Sequence, residues 1–472
     1  MSKSLRLIIP IGIPLLILLL PTSIFAMPGM TVVEHRVIAI FFFAALFWIL
    51  EPIPIYATSL VIIFLELVLI SSKGLKFLTQ VTDSQELGIL INYKDIIGTF
   101  ASPIIILFLG GFFLAMAATK YRLDQNLAKL LLKPFGQNPK FVMMGMMIIT
   151  AIFSMFMSNT ATTAMMLSIL APVMTLFLPG DTGKIAFMLS IPVAANIGGI
   201  GTPIGTPPNA VALKYLTGEN VISFGQWMTF SIPYVIILLL IGWLLLLIFY
   251  PIKTEKIQLT IKGSWIKTTK AYIVYVTFGL TILLWLTDFI HGMNAYIVAM
   301  IPIAIFSSLG IITKNDLKNI SWDVLWLVSG GIALGLALDQ SGLAQRLIAA
   351  IPFGSLHPIF IIGLITLVAA TMANFMSNTA TANLLLPLVA ALGVSLSGMA
   401  SYGGSQMMII AVTISCSMGM ALPISTPPNA LAFATGALET KHMAKPGVVI
   451  ALIGLTLNYA LMYFLNLSGF FN

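Results

Sequence analysis

The chain has 472 residues, of which 59% are hydrophobic and 8% charged, with a net charge of +8. A soluble domain carries roughly 25% charged residues, so this composition excludes a soluble globule. The single cysteine, Cys416, excludes an intrachain disulfide, and the four histidines lack metal-ligand spacing. The lysines and arginines fall in short stretches between apolar runs, which reads as an orientation signal and not as nucleic-acid binding.

The chain opens with a basic start, a long apolar run and Ala26 before a turn, the pattern of a signal peptide. The run from Leu7 to Ala26 is long enough to span, since a span needs about 20 apolar residues, and predicts a retained first helix over 5–26. Further spans follow at 35–51, 54–72, 97–118, 183–217, 226–250, 270–288, 294–312, 322–339, 404–432 and 446–467. The runs are continuous rather than alternating, which argues against a transmembrane barrel. The expected fold is an all-α polytopic membrane protein of about 11 transmembrane helices. Segment 119–136 reads as a basic amphipathic surface helix, with a counterpart near 340–352. Two apolar stretches remain, 138–178 and 357–396. Each holds the heptamer FMSNTAT near its middle, at Phe156–Thr162 and Phe375–Thr381. Either two crossings or a re-entrant hairpin fits each one, and irregular backbone at that depth must be buried in protein or line a cavity.

The duplication extends beyond the heptamer. Ser377 follows Ser158 by 219 positions; PISTPPNA at Pro423–Ala430 follows PIGTPPNA at Pro203–Ala210 by 220, as Gly330–Gly331 follows Gly110–Gly111. Three landmarks in one order at nearly one offset define an internal repeat. The chain divides into a first helix and loop (1–34), a first repeat (35–252), a linker read as cytoplasmic (253–269) and a second repeat (270–467). With the N-terminus inside, seventeen lysines and arginines, Lys262 among them, face the cytoplasm and six face out. This parity holds whether 138–178 and 357–396 are hairpins or double crossings. The first repeat then begins outside and the second inside. Inverted repeats of this kind point to secondary transporters.

The paired motifs carry the candidate chemistry. Glycines followed by Pro203 and Pro207–Pro208 break the span 183–217, and the second copy breaks 404–432 in the same way. A broken helix exposes carbonyls suited to a cation and N–H groups suited to an anion. At the heptamers, serine, asparagine and threonine offer neutral oxygens for Na+ and donors for carboxylates. Ser154 lies one turn before Ser158 on the same helix face. A lone SNT would more often serve helix packing; doubling beside paired breaks favours one central site built from both halves. The glycine pairs read as close helix contacts. Neither motif contains Arg, Lys, Asp or Glu, and Glu66, within span 54–72, is the one carboxylate without a plain structural reading.

On these residues the chain resembles the divalent anion:sodium symporter family, the INDY-like carboxylate transporters, over nearly its whole length. The resemblance implies a homodimer with scaffold and transport domains moving as an elevator, C4-type dicarboxylate substrates, Na+ coupling, and a bacterial inner-membrane location. Carried over, it implies a first Na+ site at Ser154, Ser158, Asn159 and carbonyls near Gly201. A second would use Ser377, Asn378 and carbonyls near Ala421. Substrate carboxylates would meet Asn159, Thr160, Asn378 and Thr379, with Thr202, Pro203 and Pro423 lining the site. Two positions depart from the pattern: Ala373 stands where the first half has Ser154, and Leu422 where it has Thr202. Both losses weaken the second cation site, which leaves sodium-independent dicarboxylate exchange open beside symport. An anion channel is the reading from another class. No metalloprotease or nucleophile-elbow motif suggests an enzyme.

Overall fold

The computed structural model describes residues 3–25, 27–79, 87–257, 264–350, 357–395 and 398–471. Ala26, Lys262, Leu396 and the middle of the 253–269 linker lie outside them. Among the described residues every regular element is a helix, with one isolated bridge between Ser71 and Ile91.

Among the described residues, ten helices are long and apolar enough to cross a membrane. Four of the ten are the arms of the two heptamer segments: Pro139–Phe156, Asn159–Leu170 with its 3-10 extension to Leu176, Pro358–Phe375 and Asn378–Ser395. Five expected spans form shorter apolar helices instead, namely Arg6–Leu19, Ile55–Leu69, Gly183–Gly199, Ala295–Ser308 and Gly404–Cys416. The first helix ends at Leu19, short of the expected 26, ahead of Pro21. Of these, Gly183–Gly199 and Gly404–Cys416 are the first parts of the two broken spans, which resume with proline in the first turn as Pro207–Leu213 and Pro427–Ala434.

Helix ends follow local chemistry. Thr31 and Glu34 form a capping box at Val32–Leu50, and Ser223 and Gln226 form another at Phe224–Phe249. Along the latter, Ile236, Ile237, Leu240, Leu244 and Ile248 are exposed at helical spacing, an apolar stripe of the kind lipid covers. The surface helix is Leu123–Leu132, shorter than expected because Lys120 still belongs to Pro103–Lys120. It buries Leu123, Ala128 and Leu132 together with Asp124 and Asn126 and exposes Leu130, as suits a helix at a membrane interface. Its counterpart is Leu343–Ala350, where Arg346 pairs with Glu34 at 2.7 Å.

The glycine pairs mark the closest helix crossings. A Cβ at Gly110 would stand 2.8 Å from the Ala299 methyl, and one at Gly330 would stand 2.7 Å from Ser59 Cα. Helix Pro103–Lys120 thus packs on Ala295–Ser308 of the second half, and Trp322–Gln340 packs on Ile55–Leu69 of the first. The heptamer arms show a mirrored asymmetry. The first arm of the first pair and the second arm of the second pair are mostly buried; the other two are mostly exposed.

Candidate functional site

Each heptamer sits where one helix stops and another starts. Met157 and Ser158 are extended, and the Ser158 hydroxyl accepts from the Ala161 N–H at 3.2 Å as the N-cap of Asn159–Leu170. Ser377 does the same for Ala380 at 3.1 Å. Both serines therefore restart a helix at an interior break, a contribution of about 1 kcal/mol each. The helix N-termini that follow carry free N–H groups at Asn159 and Asn378.

In the first half, Ser154 Oγ lies against Asn159 Oδ1 and 2.7 Å from the Ala195 carbonyl. One hydroxyl proton cannot serve both acceptors. Three oxygens around that single proton form a donor set that fits a small cation. Gly199 permits the approach, since a Cβ there would lie 2.8 Å from Asn159 Oδ1. Of the expected ligands, Ser154 and Asn159 are brought together. Ser158 is engaged as a cap, and the Gly201 carbonyl already accepts from Ser231 at 2.8 Å. The Ala195 carbonyl was not expected, because nothing in sequence spacing brings it to the tip.

The break itself is tied by the asparagine of TPPN. Asn209 Nδ2 donates to the carbonyls of Gly199, Ile200 and Thr202 at 2.8–3.1 Å, and Trp227 Nε1 donates to Ile200 at 3.0 Å. Asn429 holds Met420 and Leu422 in the same way, at 2.8 and 2.9 Å. Asn196 crosses between the halves, donating to Thr426 Oγ1 at 3.2 Å and Asn429 Oδ1 at 3.1 Å. Helix Asn159–Leu170 packs on Pro427–Ala434, and Asn378–Ser395 packs on Pro207–Leu213. The second arm of each heptamer therefore packs on the helix that resumes after the break of the opposite half.

Placement of the remaining expected residues is uneven. Thr160 is exposed, whereas Thr379 is buried. Thr202 is fully buried with its hydroxyl donated to the Met155 carbonyl, so it fastens the break to the tip. Pro203 is buried on the wall of a mostly apolar cavity of about 870 Å³, while Pro423 is half-buried. In the second half Asn374 Oδ1 accepts from the Ala421 N–H at 2.9 Å, and Ser425 donates to the Asn374 carbonyl at 2.9 Å. Asn378 Oδ1 is buried without a partner. An orphaned oxygen beside Ser377 is what a missing cation or donor leaves behind.

Three comparisons bear on this arrangement. The fold is similar to that of a membrane transporter, YdaH from Alcanivorax borkumensis, described as having an unusual topology; the TM-score is 0.54 at 14% identity, covering 79% of this chain and 87% of that one. The sequence matches the family described as the sodium:sulfate symporter transmembrane region over residues 1–467, and the chain belongs to that family. It is an integral membrane protein of a transporter family. Among its relatives is the sodium-dependent dicarboxylate transporter SdcS of Staphylococcus saprophyticus, 30% identical over 468 residues, spanning 91% of this chain and 85% of that protein. Another is the sodium-dependent high-affinity dicarboxylate transporter 3 of Caenorhabditis elegans, 30% identical over 410 residues, spanning 73% and 71%.

Proposed function

We propose that this protein is a secondary transporter that carries dicarboxylates together with Na+. The observation that carries the reading is the oxygen cluster of Ser154, Asn159 and the Ala195 carbonyl, set at a helix N-terminus. A cation there neutralises part of a dianion's charge, which no arginine or lysine in the motifs does. Asn159 and Asn378 then meet the two carboxylates with amide donors, helped by the N–H groups of the restarting helices. Relatives named for sodium-dependent dicarboxylate transport support the substrate class.

The same reading includes a homodimer in a bacterial inner membrane, with the N-terminus cytoplasmic. The segments 138–178 and 357–396 are hairpins that return to their side of entry. They move with the broken helices as an elevator against the remaining helices. A second reading, obligatory dicarboxylate exchange, is favoured by one observation: the second half lacks the hydroxyl of Ser154, and Asn378 Oδ1 is left alone. Uptake of labelled succinate into proteoliposomes, with and without Na+ and with and without internal dicarboxylate, separates the two. Steep Na+ dependence without internal substrate supports symport; uptake that needs internal dicarboxylate and ignores Na+ supports exchange. Saturation and counterflow exclude a channel.

A further inference from the structure

Three charged residues lie in one neighbourhood away from the paired motifs, without touching. Glu66, in helix Ile55–Leu69, is fully buried, and neither carboxylate oxygen has a hydrogen-bond partner. Lys214 follows the short helix Pro207–Leu213 and donates to the Ile332 carbonyl in helix Trp322–Gln340. Its charge reaches Glu66 on one side and Asp339 on the other. Among the described residues, no ion pair within 4.0 Å joins Lys214 to either. Gly335 makes the room, because a Cβ there would stand 3.0 Å from the ammonium and collide with the Tyr215 hydroxyl. A cavity of about 290 Å³ lined by Lys214, Tyr215, Asp339 and Gln345 joins Lys214 to the exposed Asp339.

The internal duplication supplies the control. Gly110 packs on Ala299 as Gly330 packs on Ser59, a register that sets Glu66 against Phe306, seven positions on in each helix. The offset of 220 sets Lys214 against Ala434, Asp339 against Thr119 and Gly335 against Ala115. All three charges, on three separate elements, have uncharged mates, and the glycine that admits them has a mate with a side chain. Packing alone requires none of these departures together.

A carboxylate stripped of water and of every donor is costly as an anion and far less so as the neutral acid. We propose that Glu66 is a proton-binding site: it holds a proton while Lys214 rests on the Ile332 carbonyl, and releases it when Lys214 swings onto the carboxylate. The O–H bond breaks, its electron pair stays on the carboxylate, and the proton passes to water. Lys214 ends the segment PIGTPPNAVALK, so its position is set by the first break. Movement of that break against Ile55–Leu69 and Trp322–Gln340 is then linked to proton binding, and the linkage is reciprocal. This coupling rests on the transport reading; the proton site does not.

Other charges around Ile55–Leu69 are engaged or remote. From helix Val32–Leu50, Arg36 donates to the Leu69 and Leu78 carbonyls, Glu34 pairs with Arg346, and His35 is buried beside Phe25. From Trp322–Gln340 come Asp339 and the exposed Asp323; from the short helix Tyr93–Gly98 come Lys94 and Asp95, both exposed.

The test is infrared titration of the purified full chain in lipid nanodiscs, without substrate. The expected result is a protonated-carboxyl band at neutral pH that is lost in Glu66→Gln and persists to higher pH in Lys214→Met. A spectrum unchanged by Glu66→Gln at every pH overturns the proposal. Should Glu66→Gln fail to fold, a band unmoved by Lys214→Met overturns it. In proteoliposomes, Glu66→Gln is expected to flatten the pH dependence of succinate uptake, and an unaltered profile overturns the coupling. The band without any uptake by the unaltered protein refutes the transport reading and leaves the proton site standing.

Discussion

The two halves reach the same architecture with different side chains. Asn159 Oδ1 meets Ser154, whereas Asn378 Oδ1 meets nothing, because position 373 is alanine. Asn429 Oδ1 accepts from Asn196, whereas Asn209 Oδ1 is orphaned; the mate of Asn196 at the 220 offset is Cys416. The loss of Thr202, replaced by Leu422, is a different matter. Thr202 ties the first break to the Met155 carbonyl, and Ser425 ties the second to the Asn374 carbonyl, the position equivalent to Met155. The first half has Gly205 where the second has Ser425. A side chain at Gly205 would strike the backbone of Gly199, so the tether there had to come from Thr202. Structural tethers are thus restored by another route, while the ligand oxygen at 373 is not. This contrast separates residues that hold the breaks from residues left facing a ligand.

The sharpest way to break the comparison is to remove both amides in turn. Asn159→Ala or Asn378→Ala is expected to lower succinate uptake about 10- to 100-fold, the loss of one hydrogen bond to a charged ligand. Expression should change little, since Asn378 Oδ1 has no partner and Asn159 Oδ1 meets only Ser154, across the tip of its own heptamer. Near-normal uptake by both variants would sink the assignment. A smaller effect should come from Ala373→Ser, which places a hydroxyl beside the orphaned Asn378 oxygen. It is expected to lower the Na+ concentration for half-maximal uptake about 2- to 10-fold, the size of one neutral hydrogen bond. No change in Na+ dependence would show that the two halves differ for another reason.

The tethers give a prediction in stability. Thr202→Val and Ser425→Ala should each cost about 1 kcal/mol for the hydrogen bond stripped from a buried or half-buried carbonyl, Ser425→Ala also freeing the Leu422 N–H that its hydroxyl accepts from at 3.1 Å. Thermal unfolding in detergent checks it, and equal losses in the two variants would confirm that Thr202 and Ser425 do one job from two positions. A large loss in one and none in the other would refute the equivalence.

The breaks, the capped tips, the surface helices and the glycine crossings were legible because each is written in local spacing: prolines, SNT, amphipathic period and paired glycines. The first span was overestimated because apolarity continues past Pro21, where the helix does not. The Ala195 carbonyl and the Asn196 cross-link were invisible, since backbone groups and contacts 230 positions apart leave no local pattern. Ser425 and Asn374 were within reach: comparing each half with its mate reveals them as substitutions of Gly205 and Met155. Comparing only for lost oxygens hid the gained ones. Asn209 and Asn429 stood in the quoted motif, but their work of closing the break depends on where the helix resumes.

The smallest expected effect concerns an asymmetry outside the site. Lys120, at the end of Pro103–Lys120, donates to Asp316 of the second half at 2.6 Å and to the Ile311 carbonyl at 2.9 Å. The mate of Lys120 at the 220 offset is Gln340, so the second half has no such cation. Partial burial pushes the Asp316 carboxyl up, but hydrogen bonds from Lys120 and Thr313 outweigh it and hold it down at about 2, against an ordinary 3.8. A depressed carboxyl stabilises the fold above its ordinary value and loses that contribution as pH falls toward the folded one. The contribution is therefore full above about pH 4 and fades between about 4 and 2. Lys120 is partly exposed, so the pair is worth at most about 1 kcal/mol. Asp316→Asn should lower the melting temperature slightly at neutral pH and converge with the unaltered protein near pH 2, as measured by unfolding in detergent at a series of pH values. A gap that stays constant down to that pH would assign the loss to the Thr313 cap alone and not to the charge on Asp316.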